Sequence, residues 1–164
     1  MARTGVVLDK QLDLVLQLLM PANRLVARVM LATGLRVGDV LTLTPDQLRP
    51  SMAVREAKTG KVRRVRLPDG LRQELLRQSG RRWVFEGARD PDKHRSRQAV
   101  WADIKRAQRA CRFRANLGTH SMRKVYAVRL MAKYHDLARV QRDLQHDRSE
   151  VTALYALADK LGGL

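Results

Sequence analysis

Apolar positions near the start of the chain recur at helical intervals. Leu8, Leu12, Val15, Leu16 and Leu19 step by four, three, one and three, which predicts an amphipathic helix ending near Pro21. Leu25, Val26, Val29, Met30 and Ala32 form the inner face of a second helix, stopped by Thr33-Gly34. Val37 to Leu43 reads as a short third helix before Pro45.

The pattern then changes period. Met52–Glu56 and Val62–Leu67 are two short runs joined by "AKTGK", with Val62, Val65 and Leu67 loosely at period two and arginines between. This predicts a β-hairpin with Gly60 in the turn. Gln47–Arg49 is a candidate third strand. Pro68 opens a fourth helix with Leu71, Leu75 and Leu76 inward. Arg81 to Pro91 is loop, with one candidate strand at "WVFEG". A long helix follows from about Ser96 to Arg112, with Ala99, Val100, Asp103, Ala107 and Ala110 on a mixed face. Further helices are expected from Thr119-His120 through Tyr134, over about Asp136–Leu144 and over about Ser149–Asp159. The last has a capping box from Asp147 and Glu150. There is no repeat, low-complexity tract or long linker, so the expected fold is mainly α with a small antiparallel β-sheet (α+β), in a single domain over 1–164.

Charge sharpens this picture. The 164 residues carry a formal net charge of +17 with a pI near 11.3, which points to a polyanionic partner, nucleic acid above all. The excess is concentrated between Ser51 and Ala115, where 19 Lys/Arg face 7 Asp/Glu. At 45% apolar residues the chain can bury a core. A membrane surface is the weaker reading, because aromatic anchors are only 4%. No apolar run approaches the roughly 18 residues needed to span a bilayer, and Asp9, Lys10 and Asp13 interrupt any signal peptide. Cys111 stands alone, so no disulfide framework exists and a reducing, cytoplasmic setting is expected.

Little supports a metal or nucleotide site. The histidines are 94, 120, 135 and 146, with no HExxH, cysteine cluster or dense acidic group, and "TGLRVGD" lacks the lysine of a P-loop. If no metal is present, side chains alone would have to carry any chemistry on a phosphodiester. Breaking a DNA strand requires fixed donors around the non-bridging oxygens, a nucleophile, and an acid for the leaving oxygen. Arginine suits the first task, being permanently charged and bidentate toward oxyanions. Helical spacing puts His120 and Arg123 of "HSMR" on one face, at the opening of a helix whose free N–H groups favour an anion.

Taken in order, Arg36 in "TGLRVGDVLTL", Lys58 in "AKTGK", His120 and Arg123 in "HSMR", and His146 and Tyr155 in "LQHDRSEVTALY" form a set that resembles the catalytic domain of the tyrosine recombinases, the phage integrase family. The resemblance runs from about Val7 to Asp159. It implies that Arg36 and Arg123 clamp the scissile phosphate and that His120 helps bind it and move protons. Lys58 would be the general acid on the leaving 5′ oxygen, with Lys61 in the same turn as its alternative. His146 would donate to a non-bridging oxygen, and Tyr155 would be the nucleophile that forms a 3′-phosphotyrosine, with no cofactor, metal or ATP. A tyrosine, with a pKa near 10, needs such neighbouring cations to react at neutral pH. Asp39 is expected to orient Arg36, and Lys61, Arg63, Arg64, Arg95, Arg97 and Lys124 to face DNA.

The sequence departs from the family pattern at Lys124, Gln145 and Leu157, none of which removes a catalytic group. Only 32 residues precede "TGLR", so the family's N-terminal core-binding domain is expected to be absent. Assembly as a dimer or tetramer on DNA is expected, with a monomer or weak oligomer in solution and modest, salt-dependent affinity. A DNA-binding regulator that keeps the fold without cutting, and a DNA-relaxing enzyme like the type IB topoisomerases, are the alternatives.

Overall fold

The computed structural model describes residues 9–112 and 116–144. Seven helices and one hairpin follow in order: α1 (Asp9–Leu18), α2 (Pro21–Thr33), α3 (Val37–Leu41), β1 (Ser51–Arg55), β2 (Val62–Arg66), α4 (Asp69–Gln78), α5 (Arg97–Ala110), α6 (Thr119–Tyr134) and α7 (Leu137–Leu144). This is the mainly helical fold with a small antiparallel sheet that the pattern predicts. The helix expected over Ser149–Asp159 lies outside the described residues.

Helix α2 is the central element, packing against α1, α3, α4, α5, α6 and β2. Pro21 occupies its first turn, where a missing N–H costs nothing. At its other end Gly34 takes a left-handed conformation (φ 66°), and its N–H donates to the Met30 carbonyl at 2.8 Å. A Cβ here would lie 2.3 Å from the Tyr126 ring of α6. Glycine is therefore required twice over, by backbone conformation and by the close approach of α6.

The main core joins Leu12 and Val15 of α1, Val26, Val29 and Met30 of α2, Leu71 and Leu75 of α4, and Val100 and Ile104 of α5. Each such side chain contributes roughly 1.5–3 kcal/mol on burial. Asp103 of α5 is buried at the α1–α2 junction. Its Oδ2 accepts from the Met20 N–H and from Asn23 Nδ2, both at 2.8 Å, and its Oδ1 accepts from Arg106 Nε at 2.9 Å.

Strands β1 and β2 pair with Met52 opposite Val65 and Val54 opposite Arg63. The inward face reads Met52, Val54, Glu56 on one side and Arg63, Val65, Leu67 on the other. Val62, read on the same loose period-two run as Val65 and Leu67, is 53% exposed. It is three residues from Val65, and a period of two cannot place both on one face. Three other local expectations change. Gln47 closes a 3₁₀ turn (Pro45–Gln47) rather than a strand. "WVFEG" contributes only an isolated bridge, Glu86 to His94. Leu76 points outward on α4.

Candidate active site

The turn between β1 and β2 is built from few contacts. The Glu56 N–H donates to the Lys61 carbonyl at 2.9 Å, and the Gly60 N–H donates to the Glu56 carbonyl at 2.8 Å. Gly60 supplies the positive φ, 67°, that lets the chain reverse. Lys58 and Lys61 are exposed in this turn. Asp39, buried on α3, accepts the Ala57 N–H on Oδ1 at 2.9 Å. Asp39 therefore does not pair with Arg36 as expected. It ties α3 to the turn, one residue before Lys58.

Arg36 sits at the N-cap of α3 in an extended conformation (φ −72°, ψ 150°). Its partner is Glu56, with Nη1 to Oε2 at 2.6 Å. The Arg36 side chain remains 19% exposed while that of Glu56 is 0% exposed. Glu56 also lies 3.7 Å from Arg63 Nη1 and 3.9 Å from Arg123 Nη1, both measured to Oε1. Thr59 Oγ1 donates to Glu56 Oε2 at 3.3 Å. One buried carboxylate thus gathers three arginines, two of them from the sequence-derived set.

Arg63 and Arg123 are both anchored on the end of α2. Arg63 Nη2 donates to the Thr33 carbonyl, and Arg123 Nη1 donates to the Gly34 carbonyl. The last carbonyls of a helix lack intrahelical partners and carry its negative dipole end, which favours cations there. Arg123 Nη2 reaches the Leu144 carbonyl at the end of α7, at 2.6 Å. Arg123 is buried on α6, whereas His120, one turn earlier, is exposed. The Ser121 hydroxyl accepts the Gly118 N–H at 3.0 Å and helps form the first turn.

Arg63 corrects an expectation. It is 7% exposed, packs over the Tyr126 ring at 6.0 Å and does not face solvent. Its place in the period 63, 65, 67 puts it on the inner face with the hydrophobic residues. Lys61, Arg64 and Arg97 are exposed, while Arg95 and Lys124 are half-buried. Tyr126 is half-buried, and burial, opposed by the Arg63 charge and aided by the Asp143 charge, raises its hydroxyl above the usual tyrosine pKa. It is thus the reverse of an activated nucleophile. His146 and Tyr155 lie outside the described residues.

Sequence reasoning missed Glu56. Alternation from Met52 through Val54 reaches Glu56 on the buried face, and a carboxylate there demands cationic partners. That signal was present in the sequence.

The sequence matches the model of the phage integrase family over residues 9–161. It is 27% identical over 134 residues to the probable integrase/recombinase YoeC of Bacillus subtilis, covering 78% of this chain and 73% of that protein. It is 26% identical over 154 residues to the integrase of Escherichia phage P2, covering 93% of this chain and 43% of that one. Among solved structures, the catalytic domain of bacteriophage HP1 integrase superposes with a TM-score of 0.71 at 23% identity, covering 95% of this chain and 89% of that one. A lambda integrase dimer bound to a COC′ core site gives 0.77 at 19% identity, covering 94% and 48%. The chain thus spans less than half the length of two of these proteins and most of the HP1 catalytic domain. On the matched family model and the shared fold, the chain belongs to the phage integrase family, the tyrosine recombinases.

Proposed function

We propose that this chain is the catalytic domain of a site-specific DNA recombinase that cuts and rejoins strands through a 3′-phosphotyrosine on Tyr155. The observation that carries the reading is the meeting of Arg36 and Arg123 on Glu56 at the base of the Lys58 turn. Arg36, Arg63 and Arg123 all lie within ion-pair distance of the Glu56 carboxylate, and Arg36 is partly open to solvent. Such a cluster suits the non-bridging oxygens of one phosphodiester, whose charge grows during attack. Lys58, exposed in the turn, would protonate the leaving 5′ oxygen. His120, on the exposed face of the first turn of α6, would bind the phosphate and move protons. His146 follows Leu144, the residue Arg123 holds, by two positions, and would donate to a non-bridging oxygen.

In this scheme the Tyr155 oxygen attacks phosphorus and the bond to the 5′ oxygen breaks. A 5′ hydroxyl from another strand then reverses the step, so bond energy is kept and neither metal nor ATP is consumed. Double-stranded DNA is the partner. Lambda integrase has been seen as a dimer on a core site and as a tetramer on a Holliday junction, which supports assembly on DNA here too.

The test is covalent trapping. The full chain is incubated with duplexes carrying the flanks of its own coding element, nicked near candidate sites, and SDS-resistant adducts are measured beside a Tyr155→Phe variant. An adduct lost in the variant is expected. Binding without any adduct would replace the recombinase by a DNA-binding regulator, and relaxation of supercoils without recombinant product would favour a topoisomerase.

A further inference from the structure

The proposed chemistry uses Arg36 and Arg123 but leaves Glu56 without a task. An inert carboxylate here would be costly, because a buried anion must be fully paired to be tolerated. Glu56 is only partly paired. Its Oε2 accepts from Arg36 at 2.6 Å and Thr59 at 3.3 Å. Its Oε1 has no hydrogen-bond partner among the described residues, although Arg63 and Arg123 lie 3.7 and 3.9 Å away.

We propose that Glu56 is a positioning residue for strand cleavage, one that holds the guanidinium of Arg36 in phosphate-binding orientation, beside the carbonyl-anchored Arg123, before DNA arrives. The inference rests on the recombinase reading above. Three guanidiniums sharing one pocket repel one another, and the repulsion is strong where water is excluded. The Glu56 carboxylate among them offsets that repulsion. A guanidinium has five N–H donors. The bond to Glu56 engages one edge of Arg36 and leaves donors on its partly exposed side for a ligand. Rotamer freedom of the arginine is then lost on folding rather than on binding, which is the physical content of preorganisation. The hairpin places Glu56 at the base of the Lys58 turn, so one residue sets the relation between the phosphate clamp and the general acid. Asp39 supports the same segment from α3 through the Ala57 N–H.

A purely structural Glu56 and a positioning Glu56 predict different results for Glu56→Gln. This variant keeps the size and one acceptor oxygen but removes the charge, so the pocket becomes more cationic while Arg36 loses its charged anchor. The full chain is assayed on the same nicked duplexes at fixed salt, with non-covalent affinity and the rate of adduct formation per bound protein measured separately. The expected result is a split: affinity equal to wild type or up to about threefold tighter, and adduct formation at least tenfold slower. Glu56→Asp keeps the charge but retracts it by one methylene, and should fall between the two, with affinity unchanged and a rate about threefold lower. A folding defect would instead lower binding and adducts together, in proportion to the folded fraction seen by circular dichroism, and would overturn the proposal. So would a wild-type rate in either folded variant. If Glu56→Gln does not fold, Glu56→Asp alone decides. A Tyr155-dependent adduct in wild type with no slowing in the Glu56 variants overturns this inference and leaves the recombinase reading intact. No adduct in wild type overturns both.

Discussion

Asp103 and Glu56 are both buried carboxylates beside arginine, and they differ in how completely they are satisfied. Asp103 receives the Met20 N–H, Asn23 Nδ2 and Arg106 Nε, which occupy both oxygens, and its one arginine partner reaches solvent. Glu56 is surrounded by three arginines yet leaves one oxygen without a hydrogen bond among the described residues. A carboxylate with both oxygens occupied and its charge balanced fixes architecture. A cationic cluster with unspent donors has capacity for a further anion. On the proposal made above, the contrast separates a residue that builds the fold from one that serves a site, although both are buried carboxylates.

The largest stability effect should come from breaking the closed network. Asp103→Ala leaves the Met20 N–H and Asn23 Nδ2 without their acceptor and is expected to cost about 2–4 kcal/mol. The measurement is urea unfolding of the full chain. Adduct formation per folded molecule should be unchanged, which is the opposite of the Glu56→Gln pattern. Burial pushes the Asp103 carboxyl up, but the bonds from Asn23, the Met20 N–H and Arg106 outweigh it and hold it below the ordinary carboxylate range. A carboxyl with a lowered folded pKa contributes stability above its unfolded value of about 3.9 and loses it as pH falls through the folded value. The stability gap between wild type and Asp103→Asn should therefore be widest near neutral pH and narrow as pH drops below about 4. A gap independent of pH would mean that the charge of Asp103 contributes nothing.

Arg63→Gln tests the partner side of the site cluster. The shorter, neutral side chain leaves the Thr33 carbonyl, at the end of α2, without its buried donor and removes the contact with Tyr126. A loss of about 1–3 kcal/mol is expected, measured by thermal unfolding. A stability equal to wild type would show that Glu56 needs only Arg36 and Arg123.

Much of this was legible from residue patterns. The helical intervals located α1 to α5, because an amphipathic helix repeats its apolar face over several turns and one misplaced residue changes little. The motifs "TGLR" and "HSMR" placed Arg36 and Arg123, which the fold then brings to one carboxylate from positions 87 residues apart. The hairpin was harder. It has only a few residues per strand, Val62 blurs the period, and the charge of Arg63 points to a DNA-facing residue although the strand turns it inward. An arginine can face inward only if it finds an anion and a carbonyl there, and for Arg63 these come from Glu56 at the hairpin turn and Thr33 at the end of α2. The pairing of Asp39 with Ala57 rather than Arg36 was hidden for the same reason: sequence proximity suggested one partner and tertiary geometry supplied another.

The smallest effect is the sharpest control on this account. Arg64 adjoins Arg63 on the same strand but points to solvent, so Arg64→Gln makes the same chemical change one residue away. With no buried group left unpaired, stability should stay within about 0.5 kcal/mol of wild type. If the exposed face of the hairpin meets DNA, the variant should instead lose one phosphate contact. The slope of log affinity against log salt concentration would then become shallower by about 0.9, with equal loss on related and unrelated duplexes. Arg63→Gln should show the reverse: reduced stability and a salt slope altered by less than this, because its charge is already turned inward onto Glu56. Equal salt slopes for the two variants would mean that burial does not decide which arginines DNA reads, and the distinction between the inner and outer faces of β2 would fall.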